Sequence, residues 1–172
     1  MHETCAAGRT AWRRMEENDF PAVGAIAARV HPNHPEKGAV FAERFRLYPA
    51  GCRVLDFGGR AAGYALSHPW VFGRPPRLAS LLGASPAAPA TLHLHGVALL
   101  PAARGAGAAS RLLVHLAGLA RAAGLPCLCL VAVNDSAAFW QRRGFGAVQD
   151  PASERGLRGY GPAACFMARS VS

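Results

Sequence analysis

A chain of 172 residues, 51% of them hydrophobic, can bury about 70% of its unfolded surface in one core, and a single domain over residues 1–172 is expected. No apolar run reaches the roughly 18 residues that cross a bilayer and the start, MHETCAAGRT, lacks the apolar block of a signal peptide, so a soluble, cytoplasmic protein without a membrane partner is expected. The net charge of +9 is carried by scattered arginines, paired only at Arg13-Arg14 and Arg142-Arg143, and no basic run is interleaved with aromatics, which argues against nucleic acid as a partner.

Glu3, Glu16 and Glu17 argue against an organelle transit peptide. Eighteen Arg against the single Lys37, amid many Ala, Gly and Pro, is the bias of a GC-rich coding sequence and suggests a bacterial source. The cysteines Cys5, Cys52, Cys127, Cys129 and Cys165 are odd in number and lack C-x-x-C spacing, so neither a disulfide framework nor a metal site is expected.

Residues 10–15 read as a short strand. Asp19 is placed to cap a helix that holds Pro21 in its first turn and Val23, Ile26, Ala27 and Val30 at helical spacing; His31-Pro32 ends it. A second helix covers residues 39–47 through Val40, Phe41, Phe45 and Leu47, and Pro49-Ala50-Gly51 turns the chain. Strands at 52–57 and 60–67 flank Gly58-Gly59, a signature of a two-residue hairpin. Residues 69–89, rich in Pro, Gly, Ser and Ala, read as a long loop with a helical turn at 78–82, either crossing the surface or covering an acceptor site.

Residues 91–99 form a central strand. Alternation puts His93 and His95 on one face with Val97 and Leu99, unless a bulge, for which Gly96 is the natural place, resets the phase. Next comes the most informative stretch, Arg104-Gly105-Ala106-Gly107-Ala108-Ala109, which leads into a helical run over 108–123. A helix N-terminus offers four unpaired N–H groups and about half a positive charge, so a glycine-rich entry suits an anion. Arg104 adds a planar fork of donors matched to a diphosphate. A P-loop would need Lys and then Ser or Thr where Ala108-Ala109-Ser110 stands. A dinucleotide fingerprint would need Gly or Ala at Ser110 and an acidic residue earlier than Asp135. In residues 126–133, Cys127 and Cys129 alternate with Leu128 and Leu130 as small core residues of a buried strand.

With Arg104, Gly107 and Ala109 in place, this stretch resembles motif A of the GNAT superfamily of N-acyltransferases. Residues 134–145 (NDSAAFWQRRGF) resemble its motif B, in which Asn opens a helix that ends in aromatic-x-x-x-Gly-Phe. Residues 10–30 resemble the first strand and helix of that fold and 92–99 its fourth strand, so the likeness extends from about residue 10 to 169. It implies an α/β fold with a mixed, largely antiparallel sheet, a central splayed parallel strand pair and flanking helices, the first two of which floor the acceptor pocket.

The implied activity is direct transfer of an acetyl or other short acyl group from acetyl-CoA to an amine acceptor in a ternary complex; a homodimer is compatible with it. Arg104, Gly105, Ala106, Gly107, Ala108, Ala109 and Ser110 would hold the diphosphate, and the backbone of Val97, Ala98 and Leu99 the pantetheine arm. Asn134, Phe139 and Trp140 would complete the cofactor side. Asn134 reads equally as an ordinary N-cap.

An amine nucleophile must lose a proton, and His95, on the strand beside the thioester, is the leading base, with His93 in reserve. Both histidines read equally as residues satisfied by local hydrogen bonds. A backbone N–H at Val97 would hold the carbonyl oxygen. Many members of the superfamily place a tyrosine acid where this chain has Trp140, whose indole N–H cannot serve a thiolate. Trp140 would pack against the acyl end, and Tyr160, between Gly159 and Gly161, is the available phenol. Cys165, Phe166 and Met167 read as core in a last strand over 163–168. A CoA-binding sensor with a degenerate site is the alternative function, and a basic nucleic-acid-binding domain a more distant one. The positive field favours CoA and argues against polycationic acceptors.

Overall fold

The computed structural model describes residues 10–172, and Cys5 and the segment read for signal and transit features lie outside them. Seven strands form one sheet in the order β1-β2-β3-β4-β5-β7-β6, antiparallel throughout except at β4-β5. β1 (Thr10–Arg14) runs along β2 (Cys52–Phe57), and β2 turns into β3 (Arg60–Trp70) through Gly58 and Gly59, with φ of 61° and 81°. Two successive positive φ values are what a two-residue hairpin with the sheet's own twist requires.

Two helices precede β2, α1 (Phe20–Val30) and α2 (Gly38–Leu47). Asp19 does not cap α1 with its side chain, contrary to expectation. Its carboxylate is taken by the Arg13 guanidinium at 2.7 and 2.8 Å and by the Glu16 N–H at 2.8 Å. A two-pronged charged pair is stronger than a neutral cap, and it tethers the start of α1 to β1. Val23 and Ile26 of α1 and Phe41 of α2 pack with Val54, Tyr64, Leu66 and Ala98 on one face of the sheet.

β3 continues three residues beyond the expected 67, to Trp70. Residues 71–90 then cross without a helix; the expected helical turn at 78–82 is a tight turn at Leu78-Ala79, where Ala79 has φ 55°. The segment's polar groups are satisfied from elsewhere. Glu43 of α2 accepts from Leu82 and Gly83 N–H at 2.7 and 2.9 Å, Arg44 donates to Ser80 O at 3.0 Å, and Tyr160 donates to Pro76 O at 2.8 Å.

β4 (Thr91–Leu99) and β5 (Cys127–Ala132) are joined by α3 (Ala108–Ala122). The two strands pair in parallel only over Leu92 to Leu94 against Leu128 to Leu130, and then part. On its other edge β4 pairs Gly96 with Leu66 and Leu94 with Ser67, which leaves His95 as an unpaired extra residue. The bulge therefore falls at His95, one residue before the expected Gly96, and it resets the alternation. Val97 lies with Leu94 against the α3 core, away from Ala98, which joins the α1 face. The expected grouping of His93 and His95 with Val97 and Leu99 is corrected accordingly. Leu112, Leu113, Leu116 and Ala120 of α3 cover the second face, over Leu92, Leu128, Leu130 and Met167.

α4 (Ala137–Gln141), β6 (Gly146–Ala147), α5 (Pro151–Gly156) and β7 (Cys165–Ser170) complete the chain. Asn134 does not open α4 as a cap: Asn134 and Asp135 adopt left-handed φ of 52° and 57°, and Ser136 is the N-cap residue. After α4, Gly144 (φ 85°) lets the Phe145 N–H return to Trp140 O at 3.2 Å, closing the helix and turning Phe145 into the α3 core. No helix among the described residues is long and apolar enough to cross a membrane.

Candidate active site

A cleft of about 970 Å³ opens where β4 and β5 part. One end is formed by the entry to α3. Gly105 and Gly107 have φ of 81° and 71°, a conformation that favours glycine, and a Cβ built on Gly105 would meet nothing within 4 Å. Gly107 is the N-cap residue, and no side chain caps α3, so the first amides of the helix are left to the cleft. Arg111 fixes the loop from behind by donating to Ala106 O and to Thr10 Oγ1, and Trp12 Nε1 holds Ala108 O at 2.8 Å. Arg104 leans back to Leu99 O through Nε at 3.0 Å.

Gly105, Gly107, Ala108 and Ala109 line this end with Arg104, whereas Ala106 and Ser110 do not reach it. Across the opening stand Phe139 and Trp140 of α4. Their rings meet edge to face at 4.9 Å, and the Arg143 guanidinium lies 3.5 Å over the Phe139 ring. Trp140 is otherwise a core residue beside Phe145, so it forms the cleft's floor.

At the middle, Val97, Ala98 and Leu99 line the cleft. His31, from the end of α1, donates through Nε2 to Val97 O at 2.9 Å, while its Nδ1 faces Asn134 Nδ2 at 3.4 Å. The two contacts agree on one tautomer, with hydrogen on Nε2. Asn134 thus lines the cleft beside His31. Nothing in the local sequence marked His31 beyond its position before Pro32.

The other end lies under α1 and α2. His95 points its Nε2 at the Glu36 carboxylate, 2.9 and 3.1 Å from the two oxygens, and its side chain is 1% exposed. Its Nδ1 is buried with no hydrogen-bond partner. Burial pushes the Glu36 carboxyl up, but the His95 hydrogen bond and charge, the Ala79 N–H and the nearby Arg44 outweigh it and hold the group below its ordinary value. Glu36 is therefore a carboxylate at neutral pH.

His93 is not brought to the cleft. It is 1% exposed inside the sheet with Nδ1 3.3 Å from Cys129 Sγ, and burial keeps it neutral far below the ordinary range. Opposite it in register stands His68, which burial pushes down to about 3. The rings of His68 and His95 lie 6.0 Å apart and those of His68 and His93 5.5 Å.

Tyr160 lines the cleft, but its hydroxyl proton is donated to Pro76 O and burial pushes its phenol up. Tyr64 also lines this end, unforeseen in the sequence. It packs edge-on to Phe41 at 5.9 Å, and its hydroxyl lies 3.8 Å from where a Cβ on Gly96 would stand.

Solved structures with this fold include the ribosomal-protein-S18-alanine N-acetyltransferase from Escherichia coli, at 22% identity, 95% of each chain and a TM-score of 0.66. The GphF GNAT-like decarboxylase in complex with isobutyryl-CoA matches 94% of this chain with 100% of its own, at 19% identity and a TM-score of 0.75. Arabidopsis thaliana Naa50 in complex with the bisubstrate analogue CoA-Ac-MVNAL matches 92% of this chain with 96% of its own, at 10% identity and 0.67. No curated protein sequence matches the chain. The model of the acetyltransferase (GNAT) family matches residues 9–145, which takes in β1, α1, α2, the α3 loop and α4. The chain belongs to the acetyltransferase (GNAT) family.

Proposed function

We propose that this protein transfers an acetyl or other short acyl group from acetyl-CoA to a primary amine in a single ternary complex. The observation that carries the reading is that one cleft joins an uncapped helix N-terminus to a buried His95–Glu36 pair. The first supports a diphosphate and the second a proton acceptor. Solved structures of the same fold carry CoA groups, GphF with isobutyryl-CoA and Naa50 with a CoA analogue, which supports CoA as the ligand of the first.

The residues present fit such a group. The amides of Ala108 and Ala109, with the Arg104 fork and the turn through Gly105 and Gly107, would hold the diphosphate. Backbone of Val97, Ala98 and Leu99, on the edge that β5 leaves, would hold pantetheine, with the Val97 N–H available to the carbonyl oxygen. Phe139 and Trp140 would bound the acyl end. Bound there, acetyl-CoA supplies the activated acyl group. His95 is then the base through the carboxylate it is paired with: Glu36, bonded to His95 Nε2, meets the amine, and the pair takes up its proton while the buried Nδ1 stays out of the cleft. Tyr160 is assigned to the wall and the Pro76 contact. His93 is assigned to the core.

A thermal-shift series tests the fold-level part: acetyl-CoA and CoA should raise Tm and NAD should not. Thiol release from acetyl-CoA over an amine panel tests the reaction. His95→Ala should lower turnover by about 10²- to 10⁴-fold and flatten the pH profile while keeping acetyl-CoA affinity. Acetyl-CoA binding without thiol release for every amine would instead identify a sensor.

A further inference from the structure

We infer that the acceptor is a primary amine borne on an apolar body with no anionic group of its own. The inference rests on the acetyl-transfer reading and specifies its second substrate. Its basis is the uneven distribution of charge and bulk along the cleft. Both cationic side chains that line it, Arg104 and Arg143, stand at the α3 and α4 end. At the α1 end the lining holds one carboxylate, Glu36, and no Lys or Arg, in a protein whose net charge is +9.

The walls around that carboxylate are apolar and roomy. Gly24, Ala27 and Ala28 recur on one face of α1 with His31, at the spacing that turns a single stripe toward the cleft. A Cβ on Gly24 would meet nothing within 4 Å. Phe41, Tyr64 and Leu78 close the other sides. An ammonium can therefore reach Glu36, 12% exposed and already bonded to His95, while the rest of the molecule replaces water against apolar surface.

A carboxylate on the same substrate would lie near Glu36 with no cation lining that end to receive it, because Arg44, the nearest, is buried behind the wall and taken by Glu43 and Ser80 O. A second ammonium would be desolvated without a partner. The other nearby carboxylate, Asp135, lies exposed in a neighbouring recess of about 290 Å³, where water screens its pull.

The test compares 2-phenylethylamine, phenylalanine and spermidine as ligands of the protein saturated with CoA, by calorimetry, and as acceptors from acetyl-CoA, by thiol release. The first should bind and react best, with phenylalanine and spermidine each at least about tenfold weaker. Glu36→Gln should weaken 2-phenylethylamine by about ten- to hundredfold with CoA affinity unchanged. Since Glu36 also holds residue 79, that variant could unfold, and Gly24→Leu gives a second reading. Its side chain enters open space on an existing helix, so it should fold, keep CoA affinity and lose 2-phenylethylamine binding by about tenfold or more.

The inference is overturned if phenylalanine or spermidine matches or exceeds 2-phenylethylamine, if none of the three binds, or if Gly24→Leu leaves binding intact. Binding in the expected order without thiol release would sustain the pocket's preference and defeat the transfer reading. Turnover with the order reversed would do the opposite.

Discussion

At the α3 end of the cleft the groups offered to a ligand are main-chain amides, while at the α1 end they are side chains gathered from α1, α2, β3, β4 and residues 71–90. The first is set by the backbone path through Gly105 and Gly107, so most changes of side chain there leave its chemistry intact. The second depends on long-range contacts such as His95 with Glu36, which are 59 positions apart. Under the proposed function, a fold built this way would keep one substrate constant and leave the other open to change. The contrast predicts that damage at either end should be felt in a different constant.

The largest effect expected of a single substitution is at the α1 end. Glu43→Ala removes the partner of fully buried Arg44 and the acceptor for Leu82 and Gly83 N–H, and should cost about 3–5 kcal/mol, seen as a lower urea midpoint. In the folded fraction the KM for the amine should rise while acetyl-CoA affinity holds. If both rise together, the two ends are not independent.

Acid supplies the next test. His68 is pushed down to about 3 and His93 well below its ordinary value, so below about pH 6.5 the unfolded chain binds more protons than the folded one. Stability should then fall as pH drops below about 6.5, by about 1.4 kcal/mol per pH unit for each histidine. Glu36 and Asp19, both lowered, add to the loss further down, near and below their ordinary range. Urea midpoints between pH 7 and pH 4 measure this, and His68→Gln should reduce the slope. An unchanged slope in that variant would move the effect away from the acceptor end.

The smallest change of the three in stability sharpens the phosphate end. Gly107→Val places a β-branched residue at φ 71°, with Arg111 Nη1 3.5 Å from the new Cβ, and should cost about 1–3 kcal/mol. Acetyl-CoA affinity should fall by about tenfold or more, and amine binding should be spared. Retention of full affinity would place the diphosphate elsewhere.

The same contrast governs how much could be read before the fold was known. Motif A is legible because glycines and a helix start are neighbours in sequence, and motif B because Gly144 must follow α4 closely. The hairpin at Gly58-Gly59 follows from an equally local signal, whereas the splayed β4–β5 pair is implied only by the family resemblance. Glu36 and His31 gave no such signal, since each acquires meaning only from a residue across the cleft. Asp19 misled for the same reason: Arg13, the residue that outbids the helix for its carboxylate, lies on another element. The bulge displaced the strand phase because its site, His95, was one residue from the glycine that invited it.

A single oxygen, Glu36 Oε1, accepts from His95 Nε2 at 2.9 Å and from the Ala79 N–H at 3.3 Å. The crossing segment and the imidazole are therefore yoked through one atom. Redesign of residues 71–90 to admit a bulkier acceptor would also retune how firmly the ring is steered, so broader scope and faster turnover would have to be selected together.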